Sequence, residues 1–123
     1  MKKFALCALG VVFFATLMGC GGSRMNIAGN WTSSEGGAMT ISQNGSEIRG
    51  TYTMKDGTII GTLSGNNLNG YWIQSSSGQY CNQPRNNSHY WGIMHLIFTD
   101  NSYSGHWGYC DAQPGNSWTG QRR

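Results

Sequence analysis

Apolar and polar residues alternate with a period of two through most of residues 27–122. In 38–43 (AMTISQ), Met39 and Ile41 share one face while Thr40 and Ser42 share the other. Residues i, i+2 and i+4 of an extended strand point the same way, so the pattern predicts half-buried strands. Eight are expected, over 27–33, 38–43, 46–54, 58–64, 68–75, 89–99, 102–109 and 116–122. In the longest, Tyr90, Gly92, Met94, Leu96 and Phe98 lie on one face and Trp91, Ile93, His95 and Ile97 on the other. Turn signals separate the strands, among them Asn44-Gly45 and Asp56-Gly57, both strong hairpin formers. Successive hairpins leave no room for crossover helices and predict an all-β, antiparallel, up-and-down meander of about eight strands. Residues 76–88 and 110–115, rich in Ser, Asn, Gly and Pro, read as the two longer loops.

A second pattern lies on top of the alternation. An apolar residue, a glycine two places later and a large residue two after that recur along the chain. The instances are Ile27-Gly29-Trp31, Ile48-Gly50-Tyr52, Ile59-Gly61-Leu63, Leu68-Gly70-Trp72, Tyr103-Gly105-Trp107 and, less completely, Trp118-Gly120-Arg122. Glycine weakens a strand interior, so its recurrence at one position implies close backbone approach or a sharp bend. Both are what a small barrel needs in order to coil its strands and close, with small and large side chains alternating inside. The meander is therefore expected to close into a small barrel, with Trp31, Tyr52, Trp72 and Trp107 facing inward.

The first twenty residues differ in kind. Lys2 and Lys3 precede an apolar run from Phe4 to Met18, too short for a spanning helix and typical of a secretory leader. It holds the only helix expected in the chain. Leu17-Met18-Gly19-Cys20 resembles the lipobox of bacterial lipoproteins. That resemblance implies cleavage before Cys20, a diacylglycerol on its sulfur and a further chain such as palmitate on the freed amine. Two or more acyl chains hold a protein firmly, at about 0.8 kcal/mol per buried methylene. Gly21 and Gly22 follow, with no Asp after the cysteine, which by likeness to enterobacterial sorting implies the outer membrane. The expected organisation is a signal peptide over 1–19, a lipid-anchored tether over 20–26 and a β-barrel module over 27–123.

Losing Lys2 and Lys3 with the leader reduces eight basic residues to six against five acidic, so the module is nearly neutral. That argues against a nucleic-acid partner, which would require a basic face. Of four cysteines, Cys7 leaves and Cys20 takes lipid, so Cys81 and Cys110 remain as the expected disulfide in an oxidising compartment.

Gly29-Asn30-Trp31 followed by Gly50-Thr51-Tyr52 resembles the opening strands of avidin-type and other calycin barrels, and the longer run through Trp72 resembles small secreted bacterial β-modules. The calycin likeness implies a barrel able to carry a small apolar or sugar ligand. Beyond the opening strands the sequence departs from avidin, and no biotin-binding polar set can be matched.

Chemistry is sparse. Asp56, Asp100 and Asp111 sit in turn sequences, Glu47 neighbours the inward Ile48 and so faces out, and no motif pairs two carboxylates. A metal site from His89, His95 and His106 would need convergence across strands that the spacing does not supply. No catalytic residue, cofactor or metal is therefore expected. Tyr80 and Tyr109 adjoin the bridged cysteines and, with Trp91 and Arg85, are the candidate ligand-binding residues at one barrel end. The leading expectation is a non-enzymatic envelope module, membrane-bound through lipid, with an envelope protein or glycan as partner. A calycin-like carrier is the alternative and a hydrolase the third. A filled interior would favour the first and an internal void of several hundred Å³ the second.

Overall fold

The computed structural model describes residues 25–35 and 37–123. The expected leader, Cys20 and most of the expected tether lie outside them. Eight antiparallel strands follow in order: β1 (Gly29–Ser33), β2 (Gly37–Asn44), β3 (Glu47–Tyr52), β4 (Gly57–Ser64), β5 (Asn67–Gln74), β6 (Tyr90–Phe98), β7 (Ser102–Trp107) and β8 (Asn116–Gln121). Each pairs with the next in sequence, which is the expected meander. Its two edges then meet. Trp31 bridges Arg122, the Ser34 N–H donates to the Thr119 carbonyl (2.8 Å), and the Arg123 N–H donates to the Asn30 carbonyl (2.8 Å). A nearly closed barrel results, without the open edges on which foreign strands could add.

The repeated triplet explains the closure. Ile48, Tyr52, Ile59, Leu63, Leu68, Trp72, Tyr103 and Trp118 are all buried in one interior cluster with Trp31, Met94, Leu96 and Phe98. Gly61 and Gly70 face each other across β4 and β5. A methyl group on Gly70 would stand 2.0 Å from the Ile60 carbonyl oxygen and 2.6 Å from the Gly61 Cα, so the strands can approach as they do only without it. Gly92, opposite Trp72 in the β5–β6 register, leaves room for the Trp72 indole, whose Nε1–H donates to the Gly108 carbonyl (3.0 Å).

Two local features differ from the expectation. Strand β3 ends at Tyr52, and a single 3₁₀ turn, Met54–Asp56, replaces a tight Asp-Gly hairpin. Lys55 and Asp56 take the positive φ values there (52° and 54°), while Gly57 is extended. Gly57 is instead used for space, since a Cβ on it would lie 2.1 Å from the Tyr52 ring. Within 76–88, Asn86 and Asn87 take positive φ (49° and 66°) between reciprocal Arg85–Ser88 backbone hydrogen bonds, a tight turn inside the expected loop.

The disulfide Cys81–Cys110 is present. It ties the β5–β6 connection to the segment after β7, over a second apolar cluster of Ile73, Cys81 and Trp91 on the outer face of the sheet. The eight strands and both apolar clusters of the described residues are drawn from 25–123, so that stretch carries a hydrophobic core of its own.

Candidate functional site

In a meander the odd strands run toward one end of the barrel and the even strands return. The end where β2 meets β3, β4 meets β5 and β6 meets β7 carries short turns, and it is plugged. Trp31 packs edge-on against Phe98 (centroids 5.1 Å apart) and Tyr103 (5.8 Å). Arg122 lies over the Trp31 ring at 4.3 Å and donates to the Asp100, Ala28 and Asn26 carbonyls (2.8, 2.9 and 3.1 Å). Gln43 fixes the incoming chain, accepting from the Ile27 N–H (2.8 Å) and donating to the Met25 carbonyl (2.9 Å).

The opposite end is open. A cavity of about 400 Å³ enters the barrel there, walled by Tyr52, Trp72, Trp107, Tyr109 and Trp118. Trp72, Trp107 and Tyr109 stand nearly at right angles to one another, with interplanar angles of 90°, 76° and 86° and centroids 5.6, 6.0 and 5.0 Å apart. Tyr52 and Trp118 form a further edge-to-face pair at 5.7 Å. Such pairs contribute about 0.5–1.5 kcal/mol each beyond area burial, which favours these mutual orientations. The rim is polar, with Glu35 half-buried, Lys55 exposed and Gln74, Ser76 and Ser77 beside them. Glu35 is the one carboxylate among the lining residues.

Most polar atoms of the cage are already engaged. The Tyr52 hydroxyl donates to Gln74 Oε1 (3.0 Å), whose amide nitrogen donates to the Ser76 carbonyl (3.1 Å). Trp118 Nε1–H donates to Ser33 Oγ (2.8 Å). Trp107 is the exception, its indole N–H buried without an acceptor among the described residues. An unmet buried donor costs about 1–3 kcal/mol. Burial, and secondarily the Glu35 charge, push the Tyr52 phenol far above its usual range.

The sequence-predicted residues do not form one site. Tyr109 belongs to the mouth. Arg85 and Trp91 come together on the outer face, where the Arg85 guanidinium lies over the rings of both Tyr71 (3.5 Å) and Trp91 (4.6 Å) and Trp91 Nε1–H donates to the Gln83 carbonyl (2.8 Å). That pair fastens the loop to the sheet. Tyr80 is 59% exposed and stacks on His89 at 4.4 Å, while Tyr109 packs on Trp72 and Trp107. Neighbouring bridged cysteines thus does not give the two tyrosines common partners. His95 and His106 are opposite each other on β6 and β7, with His95 Nε2 donating to Asn67 Oδ1 (3.0 Å). His89 Nδ1 donates instead to the Cys81 carbonyl (2.7 Å). No group of three or more metal-ligating side chains occurs among the described residues.

Sequence reasoning placed Tyr52, Trp72 and Trp107 inside but missed that they also wall the open mouth. They close the triplets of β3, β5 and β7, three strands running the same way, but Trp31 closes that of β1 and lies at the floor, so the pattern alone does not place the rings along the axis. Comparison with protein-family models, curated proteins and solved structures finds no match to this chain.

Proposed function

We propose that this chain is a bacterial envelope lipoprotein, anchored through Cys20 in the outer membrane, whose barrel is a non-enzymatic module that binds a small ligand in its mouth. The observation that supports this reading is the aromatic cavity of about 400 Å³, within the usual size of small-molecule sites, roughly 300–1,000 Å³. The interior cluster is packed, so the ligand site proposed is the open mouth above it, and that mouth supports a carrier of the calycin kind. Met25 packs against the interior cluster and is tied to Gln43 at the plugged end. A tether of a few residues from Cys20 would therefore hold the floor toward the bilayer and the mouth away from it, since each residue spans at most about 3.6 Å.

Ser77 lines the mouth without belonging to the core. Ser77→Trp in the 25–123 domain should plug the cavity and abolish the fluorescence enhancement of the neutral dye phenylnaphthylamine, with the far-UV circular dichroism unchanged. Equal enhancement in both proteins would refute the mouth as the site. Cys20→Ser in the full chain should release it from membranes, and unchanged detergent partitioning would refute the anchor.

A second reading is favoured by the exposed stack of Tyr80 on His89 with Tyr90 edge-on at 5.7 Å. It offers an outward aromatic platform on which an envelope protein or glycan could dock.

A further inference from the structure

The cavity is selective in what it can satisfy. A sugar needs many free donors and acceptors, and an anion needs donors above all. Here the Tyr52 hydroxyl and the Trp72 and Trp118 indole N–H groups are spent on Gln74, Gly108 and Ser33. What remains is aromatic surface and one unmet donor, the Trp107 N–H, too few polar groups for a sugar or an anion. A ring is negative on its face and positive at its edge. Three rings nearly at right angles, as Trp72, Trp107 and Tyr109 are, can turn faces toward one point, and a cation held over several faces is attracted by all of them.

Charge adds a second, independent argument. Glu35 is the lone carboxylate on the lining, is half-buried, and has no ion-pair partner among the described residues. Its field reaches into the cavity, since it helps raise the Tyr52 phenol. Lys55 has the opposite sign but stands exposed at the rim, where water and salt screen it more effectively. Of the two lining charges, the half-buried carboxylate is therefore the less screened.

We propose that the barrel mouth takes a small soluble organic cation of the quaternary ammonium class, seated against Trp72, Trp107 and Tyr109 and countered by Glu35. This rests on the reading of the mouth as the ligand site and adds to it the ligand's chemistry. A solute rather than a lipid head group is specified because the anchored orientation turns the mouth from the membrane.

The test uses choline and its uncharged carbon isostere dimethylbutanol, titrated into the 25–123 domain by calorimetry and tryptophan fluorescence. Choline should bind about tenfold more tightly than the isostere, the factor one desolvated cation–π contact supplies. Glu35→Gln should weaken choline about fivefold, as expected for losing one partly screened charge, and leave dimethylbutanol unchanged. Ser77→Trp should abolish both. Equal or tighter binding of the isostere, or choline binding indifferent to Glu35→Gln or Ser77→Trp, overturns the cation assignment. If neither ligand binds while phenylnaphthylamine still does, the cation assignment falls and the mouth stands. If the dye fails as well, both fall. Phosphatidylcholine vesicles that compete with choline would overturn the restriction to a solute.

Discussion

At Gly70 a single hydrogen stands where a methyl group cannot, because the Ile60 carbonyl and the Gly61 Cα lie 2.0 and 2.6 Å from where it would go. Gly70→Ala is expected to destabilise the domain by about 1–3 kcal/mol through overpacking against backbone that has no rotamer to change. Gly115→Ala, whose nearest neighbour would be 3.9 Å away, should stay within about 0.5 kcal/mol. Urea midpoints of the two variants decide it, and equal shifts would show that the strands do not depend on the close approach. Burial acts in a different way at Tyr103, pushing its phenol up to about 12. The folded state then holds the proton more tightly than the unfolded chain, whose phenols titrate near 10. The stability this contributes is complete below about pH 10 and is lost as pH rises from there through about 12. The urea midpoint should therefore fall over that window, and less steeply in Tyr103→Phe. A midpoint flat through the window would contradict the buried, protonated phenol.

The connection between β5 and β6 is held by several means, among them the disulfide, the Arg85 guanidinium over Tyr71 and Trp91, and the Cys81 N–H donating to the His89 carbonyl. The bridge spans 29 residues, so in the chain-entropy account its loss costs about 3 kcal/mol, a fall in Tm of roughly 10–20 °C. Cys81→Ser with Cys110→Ser should show that fall, together with new protease cleavage confined to 76–89 while the strands stay protected. An unaltered Tm would mean that the bridge carries no load. The bridge was legible because the module expected over 27–123 holds only two cysteines. The role of Arg85 was not. Nothing local marks Trp91, an outward residue of β6, as one that a loop would cover, and that covering depends on the Asn86-Asn87 turn bringing Arg85 across the sheet. Strand order, by contrast, could be read from hairpin chemistry alone, since Asn44-Gly45 and Gly65-Asn66 each allow one way back. The Asp56-Gly57 turn misled because Gly57 makes room for the Tyr52 ring instead of supplying the positive φ.

Taken whole, the molecule is a barrel with unlike ends. Trp31 and Arg122 close the end at which residues 25–28 enter, and three parallel-running strands deliver Tyr52, Trp72 and Trp107 to the other. The alternation of inward residues was plain in the sequence, but whether they fill the space they enclose depends on barrel diameter and on where each ring lies along the axis. The triplet pattern does not encode those quantities residue by residue. Five tryptophans now make the asymmetry measurable, because Trp31 marks the floor, Trp91 the outer face, and Trp72, Trp107 and Trp118 the mouth. The most direct test is to follow the five indole N–H signals by NMR while phenylnaphthylamine is added to the 25–123 domain. The account predicts saturable shifts at Trp72, Trp107 and Trp118 with Trp31 and Trp91 unmoved; shifts led by Trp91 or Trp31, or none at the mouth, would contradict it.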